Sequence, residues 1–285
     1  MPFVSALKAS LRDARFLAPA SGPESDQAIA TPRRLTAIIP DVLGTQPDQS
    51  IERKGPYLSS GTGPAAGFAK SCGVPVEALE KAADAKGEHY LFRSRKKGEN
   101  LDAHLAAIVQ QALKKLPIPK VMRWGNSDVE FVRPAHGLVM IHGDRVVCGE
   151  VLGLQSGKTT LGHRFLGDGA VTISHAGKYL EAIERQGRVI ADFARRKNVI
   201  EEQLHRKAAQ LKAALVEHEA LLDEVAALVE YPAVYAGEFS PDFLAVPHEC
   251  LILSMKQHQK YFPLLDQVSG KLIPRFLVVS NLETR

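Results

Sequence analysis

The sequence predicts an α+β fold, a mixed and largely antiparallel sheet with packed helices. Three observations predict it. ENLDAHLAAIVQQALKKL and DFARRKNVIEEQLHRKAAQLKAAL carry apolar residues at the 3.6-residue period of an amphipathic helix. FVRPAHGLVMIHGDRVVCGEVLGL sets two apolar runs around His142-Gly143-Asp144, which is hairpin chemistry. Helical and strand-like segments do not alternate strictly, so no parallel β-α-β pattern arises.

In chain order, Phe3, Leu7 and Leu11 predict a short amphipathic helix. Ala18–Ala30 is small, polar and proline-bearing, and is expected to be a loop. Leu35–Ile39 alternates like a strand after Arg33 and Arg34. The Gly-, Pro- and Ser-rich tract PDQSIERKGPYLSSGTGPA is expected to be irregular. Ala65–Ser71 and Val76–Ala83 predict short helices, with Gly73 ending the first and Pro75 opening the second. HYLFRSR predicts a strand. The helix over Leu101–Leu113 has Asn100 as a cap, Lys114 and Lys115 at its negative end, and Pro117 to stop it.

Further strands are expected at TTLGHRF and AVTIS, and a helix at AGKYLEAIERQG. The long helix Asp192–Leu215 and the helix EALLDEVAALVE are joined by the short link Val216–His218. That predicts an antiparallel helical hairpin at about 192–230. AVYAGEF, a helix from Pro247 to about Gln257, YFPLL and RFLVVS complete the expected order.

The chain has 285 residues, 45% hydrophobic and 24% charged, enough for a sizeable core. It has no apolar run of about 18 residues, so no membrane partner is expected. The N-terminal stretch has charges inside its apolar run and does not read as a secretory leader. Cys72, Cys148 and Cys250 are far apart and form no Cys-x-x-Cys pair, which argues against a disulfide framework and fits the cytoplasm.

Most catalytic motifs are excluded by spacing. Gly157-Lys158-Thr159 resembles the end of a phosphate-binding loop, but Leu152 occupies the position that requires glycine. No Gly-x-Ser-x-Gly elbow exists. His136, His142, His163 and His175 match no zinc spacing, and no metal site is expected from them.

What remains is binding chemistry. The net charge is +4, and between Lys86 and Arg133 ten basic residues face five acidic ones. A basic face there would attract phosphates. Lys120, Arg123 and Arg133 surround the only tryptophan, Trp124, whose ring suits either base stacking or a core anchor. His163 and Arg164, within GHRF, add a cationic corner. Lys256, Gln257, His258, Gln259, Lys260 and Tyr261 offer a dense set of donors and acceptors for phosphate, ribose hydroxyl or base edges.

Several long segments carry a resemblance. PKVMRWGNSDVEFVRPAHGLVMIHGD, GEVLGLQSGKTTLGHRF, VIADFARRKNVI, LLDEVAALVEYPAVYAGEFSPDFLAVPHECLILSMKQHQKYFPLLD and ATPRRL resemble, in collinear order, the β subunits of bacterial tetrameric glycyl-tRNA synthetases. The resemblance covers nearly all of the chain. It implies that residues 1–285 correspond to an N-terminal region similar to the B3/B4 module of the phenylalanyl-tRNA synthetase β subunit. It implies glycine tRNA and a synthetase α subunit as partners, in an α2β2 tetramer, and no DNA partner.

Adenylate formation, with ATP and magnesium, is expected in the α subunit, and no cofactor is expected in this chain. Arg33 and Arg34, within ATPRRL, join the basic and polar residues above as candidate tRNA contacts. The family typically opens on a strand-forming segment and continues into a His-Asp-type domain and an anticodon-binding domain. Those are expected to be absent here.

The related module edits misacylated tRNA, which makes His163 and His258 candidate bases for an editing reading. Glycine is the smallest amino acid, so a synthetic site rejects the others sterically. Editing is needed where a competitor is smaller, since one methylene is worth only ~1–3 kcal/mol. The expected role is therefore non-catalytic tRNA docking, with subunit assembly as the alternative.

Overall fold

In the computed structural model, which describes residues 2–18 and 26–283, the fold is mixed α+β with small, mainly antiparallel sheets. The chain divides into two compact units. The larger takes residues 2–8, 26–40 and 106–283, and the smaller takes 9–18 and 41–105.

Helix α1 (Pro2–Asp13) buries Phe3, Val4, Leu7 and Leu11, the face its periodicity predicts. Strand β1 (Gln27–Thr31) pairs antiparallel with β2 (Arg34–Ile38) through a tight Pro32-Arg33 turn. The expected loop over Ala18–Ala30 therefore gives way to strand from Gln27, and residues 19–25 lie outside the described residues. Ile29 accounts for the strand. It is buried in a cluster with Val171, Ile173, Ile183 and Val189, all distant in sequence.

The smaller unit is built on β3 (Gln49–Tyr57), helix α2 (Thr62–Cys72), β4 (Glu80–Asp84) and β5 (Gly87–Lys96), with strand order β3-β5-β4. Two expectations fail here, one wholly and one in half. The tract expected to be irregular contains the nine-residue β3, and of the helix expected over Val76–Ala83 only a 3-10 turn, Val76–Ala78, forms before β4 takes the second half. Both strands are polar and mostly exposed, so neither shows the alternation that marks a strand. Cross-strand charges stabilise them instead: Arg93 of β5 reaches Glu52 of β3 at 2.7 Å and Glu80 of β4 at 2.9 Å. Gly73 ends α2 as expected, in the left-handed region with φ +71°.

The helix expected from Leu101 starts as a 3-10 turn, Leu101–Ala103, and continues as α3 (Leu105–Lys114). Asn100 occupies the N-cap position of that turn but gives it no side-chain hydrogen bond. Its Oδ1 accepts from Thr45 Oγ1 at 3.0 Å. Short strands follow in the larger unit. β6 (Met122–Arg123) pairs with β7 (Glu130–Phe131). β8 (Leu138–Val139) precedes the hairpin of β9 (Ile141–His142) and β10 (Arg145–Val146), which turns on Gly143.

β11 (Glu150–Val151) pairs with β12 (Leu154–Gly157), and β12 also pairs with β8 in the one parallel ladder among the described residues. β13 (Thr159–Leu161) pairs with β14 (Ala170–Thr172). Gly157-Lys158-Thr159 thus lies between two strands, and no helix begins there.

After α4 (Tyr179–Arg185) comes α5 (Phe193–Gln210), capped by Asp192, whose side chain accepts from Arg195 N at 2.7 Å. The helix expected to reach Leu215 stops at Gln210, because Ala213–Leu215 is strand β15, paired with β17. The remaining elements are α6 (Glu219–Leu228), β16 (Ala233–Glu238), α7 (His248–Ser254), β17 (Phe262–Asp266) and β18 (Leu272–Ser280). The sheet order β15-β17-β18-β16 is antiparallel throughout. α5 and α6 pack on it around Ile200, Leu204, Leu222, Phe262, Leu264 and Leu277.

Candidate nucleic-acid interface

The larger unit gathers arginines from four separate segments around one buried ion pair. Arg34, the first residue of β2, pairs with Glu230 beyond α6, and the two side chains are only 10% and 1% exposed. Thr31 Oγ1 donates to the same carboxylate at 2.5 Å. Glu230 is held from behind, since its backbone N–H donates to Asn281 Oδ1 at 2.7 Å. The outer nitrogen of Arg34 donates to the carbonyls of Leu161 and Gly162, the latter at 3.0 Å. Arg34 thus ties β2 to the end of β13 and is not presented to solvent.

The exposed cations lie around this pair. Arg33 occupies the β1–β2 turn. Arg133 donates to the Pro32 carbonyl of that turn at 2.5 Å. Arg164 stands on the loop after β13, its guanidinium 5.5 Å from the centre of the Phe165 ring. Phe165 is 67% exposed and Leu161 beside it is exposed too. An exposed aromatic flanked by arginines can stack on a base while the cations meet phosphates.

Glycines make the loop. A Cβ on Gly162 would sit 2.7 Å from the Gly187 carbonyl oxygen and 2.8 Å from its Cα, so the two backbones touch. The His163 N–H donates to that carbonyl at 2.6 Å. His163 itself is 3% exposed. Its Nδ1 accepts from the N–H groups of Phe165 and Leu166 at 3.3 and 3.2 Å. The ring is a turn-former whose basic lone pair is already used.

The same close approach presents Arg188, which sequence reasoning missed. It is exposed, has φ +52°, and lies 6.0 Å from the centre of the Tyr231 ring. Its sequence mark is weak: the glycine before it permits the contact, but Arg-Gln-Gly-Arg alone does not reveal a left-handed arginine.

Other sequence-predicted residues belong to other segments of the larger unit. Trp124 is half-buried in the β6–β7 hairpin. Arg123 is exposed but bonded to Asp128 at 2.8 Å, and faces Glu130 across the ladder; Lys120 is exposed ahead of the hairpin. The basic excess between Lys86 and Arg133 is divided between the two units. Its first half falls in the smaller unit, where Arg93 and Arg95 are paired with acids, and its second half in the larger.

The polar run ahead of β17 is a π-turn, Met255–Gln259, in which the Met255 carbonyl accepts from Lys260 N and from Tyr261 N at 3.0 Å. Lys260 ends it at φ +58°. Both lysines are engaged internally. Lys256 donates to the Glu217 carbonyl and carboxylate at 2.6 and 3.0 Å, and Lys260 pairs with Glu224 of α6 at 2.7 Å. Tyr261 stacks on Phe276 with ring centres 4.2 Å apart. Gln257, His258 and Gln259 are the exposed part of the run.

Comparison with known proteins agrees with the resemblance carried by these segments. A sequence model of the family described as glycyl-tRNA synthetase beta subunit matches residues 3–285. The chain is 48% identical over 288 residues to the glycine--tRNA ligase beta subunit of Neisseria meningitidis serogroup A, covering 99% of the chain and 41% of that relative. It is 48% identical over 267 residues to the subunit of the same name in Chromohalobacter salexigens, covering 92% of the chain and 38% of that protein. The corresponding protein of Aromatoleum aromaticum is 46% identical over 266 residues. The chain spans about two-fifths of the length of the curated relatives it matches. By the extent of the family match and these identities, the chain belongs to the glycyl-tRNA synthetase beta subunit family.

Proposed function

We propose that this chain is a tRNA-docking region of a glycine–tRNA ligase, supporting the attachment of glycine to its tRNA while ATP, magnesium and bond formation reside on the α subunit. The observation that carries the proposal is the surface formed by Arg33, Arg133, Arg164 and Arg188 with exposed Phe165. Phosphate contacts from such arginines position RNA without reading its sequence. Identity of the tRNA would then be read elsewhere in an α2β2 assembly. The reading takes the chain as similar to the B3/B4 module, retained as a platform. The internal use of the His163 lone pair supports a platform over an editing hydrolase.

The test is tRNA binding by the complex with the α subunit across a salt series. Arg33→Ala, Arg164→Ala and Arg188→Ala should each weaken binding and lower the log–log salt slope by about one. Unchanged affinity and slope in all three would overturn the proposal.

A second reading, assembly on the α subunit or on the rest of the β chain, is favoured by exposed Phe243, Val246 and Leu253 between β16 and β17. An apolar interface should hold at salt concentrations that release RNA. Phe243→Ser would then impair complex formation without changing the salt slope.

A further inference from the structure

We propose that Glu201, His205 and His218 form a zinc-type metal site that clips α5 to the start of α6. Glu201 and His205 stand one turn apart on α5, the i,i+4 spacing that places two ligands on one helix face. His218 immediately precedes α6. One ligand atom from each residue lies within 4.8 Å of the other two. Glu201 Oε1 is 3.9 Å from His205 Nε2 and 4.0 Å from His218 Nε2.

The state of His218 is the decisive feature. Its Nδ1 lies 2.9 Å from the Val216 carbonyl, which can only accept, so Nδ1 carries the proton. In neutral imidazole that leaves a lone pair on Nε2. Nε2 is buried and has no hydrogen-bond partner. A histidine with one nitrogen fixed on a backbone carbonyl and the other bare is the arrangement found in metal-ligating imidazoles. The ring is 15% exposed and packs edge-on against buried Phe262 at 6.0 Å. Lys256 holds the preceding residue by its carbonyl. The ligand is therefore set by the fold before any ion arrives.

Two imidazoles and one carboxylate suit zinc and related divalent ions, with a fourth position left for water. Tetrahedral bonds of about 2.0–2.1 Å put ligand atoms roughly 3.4 Å apart. The two distances to Glu201 need to close by about half an ångström, and the His205–His218 separation, within 4.8 Å, must come down to the same value. His205 is 63% exposed and free to swing that far. Glu201 and His205 also line a shallow concavity with Asn198, Glu202 and Arg206.

The test uses the whole chain, stripped with chelator and titrated with Co2+ and then Zn2+. One equivalent of Co2+ should bind with the visible absorption of a tetrahedral nitrogen–oxygen site and be displaced by Zn2+. His205→Ala removes a ligand carried on an exposed side chain and should weaken binding by more than the ~100-fold that loss of a mere outer-shell partner can cost. His218→Gln should do the same. If that variant fails to fold, Glu201→Gln with His205→Ala decides the matter. Zinc should also raise the melting temperature of the wild type and not of His205→Ala. Absence of stoichiometric Co2+ binding would overturn the proposal, as would binding that survives both His205→Ala and Glu201→Gln.

Discussion

Arg34 and Glu230, 196 residues apart in sequence, meet as a buried ion pair at the centre of the arginine cluster. The strand β2 and the end of β13 converge there, because the same guanidinium caps the carbonyls of Leu161 and Gly162. A buried pair of this kind adds little net stability over an apolar pair of the same shape, but breaking it strands a charge.

Glu230→Ala should therefore destabilise the chain by about 3–5 kcal/mol, since Arg34 would remain buried without its counter-ion. Arg34→Met combined with Glu230→Leu should recover most of that loss. Chemical denaturation of the three proteins measures both, and equal stability of wild type and Glu230→Ala would contradict the assignment.

Gly162→Ala drives a methyl to 2.7 Å from the Gly187 carbonyl oxygen, and Gly187→Ala drives one to 2.5 Å from the Ile183 carbonyl oxygen in the helix just before it and 3.3 Å from the Gly162 Cα. Overpacking of this kind costs about 1–3 kcal/mol. The melting temperature should fall in both. tRNA binding should fall with it, because this contact places Arg164, Phe165 and Arg188. A Gly162→Ala protein of full stability and full tRNA affinity would count against the contact.

Phe165→Ala removes an exposed ring and should leave folding nearly unchanged. If a base stacks there, the loss is ~1–3 kcal/mol of RNA affinity. Binding measurements against single-stranded and folded tRNA would show it, and no change in either would remove Phe165 from the interface.

Acid should loosen the smaller unit. Asp84 accepts from Lys54, from the Lys86 backbone N–H and from the Tyr57 hydroxyl, and these, with Lys54 foremost, hold its pKa at about 2 against an ordinary 3.8. A depressed carboxylate contributes stability above its unfolded pKa and loses it as pH falls through the folded value. That contribution should vanish between about pH 4 and pH 2, and Asp84→Asn should flatten the dependence. Hydrogen exchange of the β4–β5 hairpin across that range is the measurement.

Lys256→Ala and Lys260→Ala release ion pairs that are partly exposed, and should each cost only ~0–1 kcal/mol. Their effect on tRNA use should be smaller than that of Arg33→Ala or Arg164→Ala. The reverse order in aminoacylation assays with the α subunit would move the interface to the π-turn.

The sequence by itself determined the class of fold, the helices α1, α4, α5 and α6, and the strands β16, β17 and β18. In those segments the apolar period is strong and local, and burial follows it. It also determined the family, because long collinear segments survive comparison. Tertiary structure decided the rest. β3 and β4 are polar strands whose partners lie elsewhere, so their pairing charges become visible only in the ladder. Of the candidate contacts, Arg33, Arg133 and Arg164 were legible as exposed cations. That Arg34 is sequestered on Glu230, that Lys256 and Lys260 are spent on Glu217 and Glu224, and that Arg188 joins the cluster depended on contacts across long stretches of chain. A cation's availability is fixed by the acids that folding brings beside it, and no local pattern encodes those.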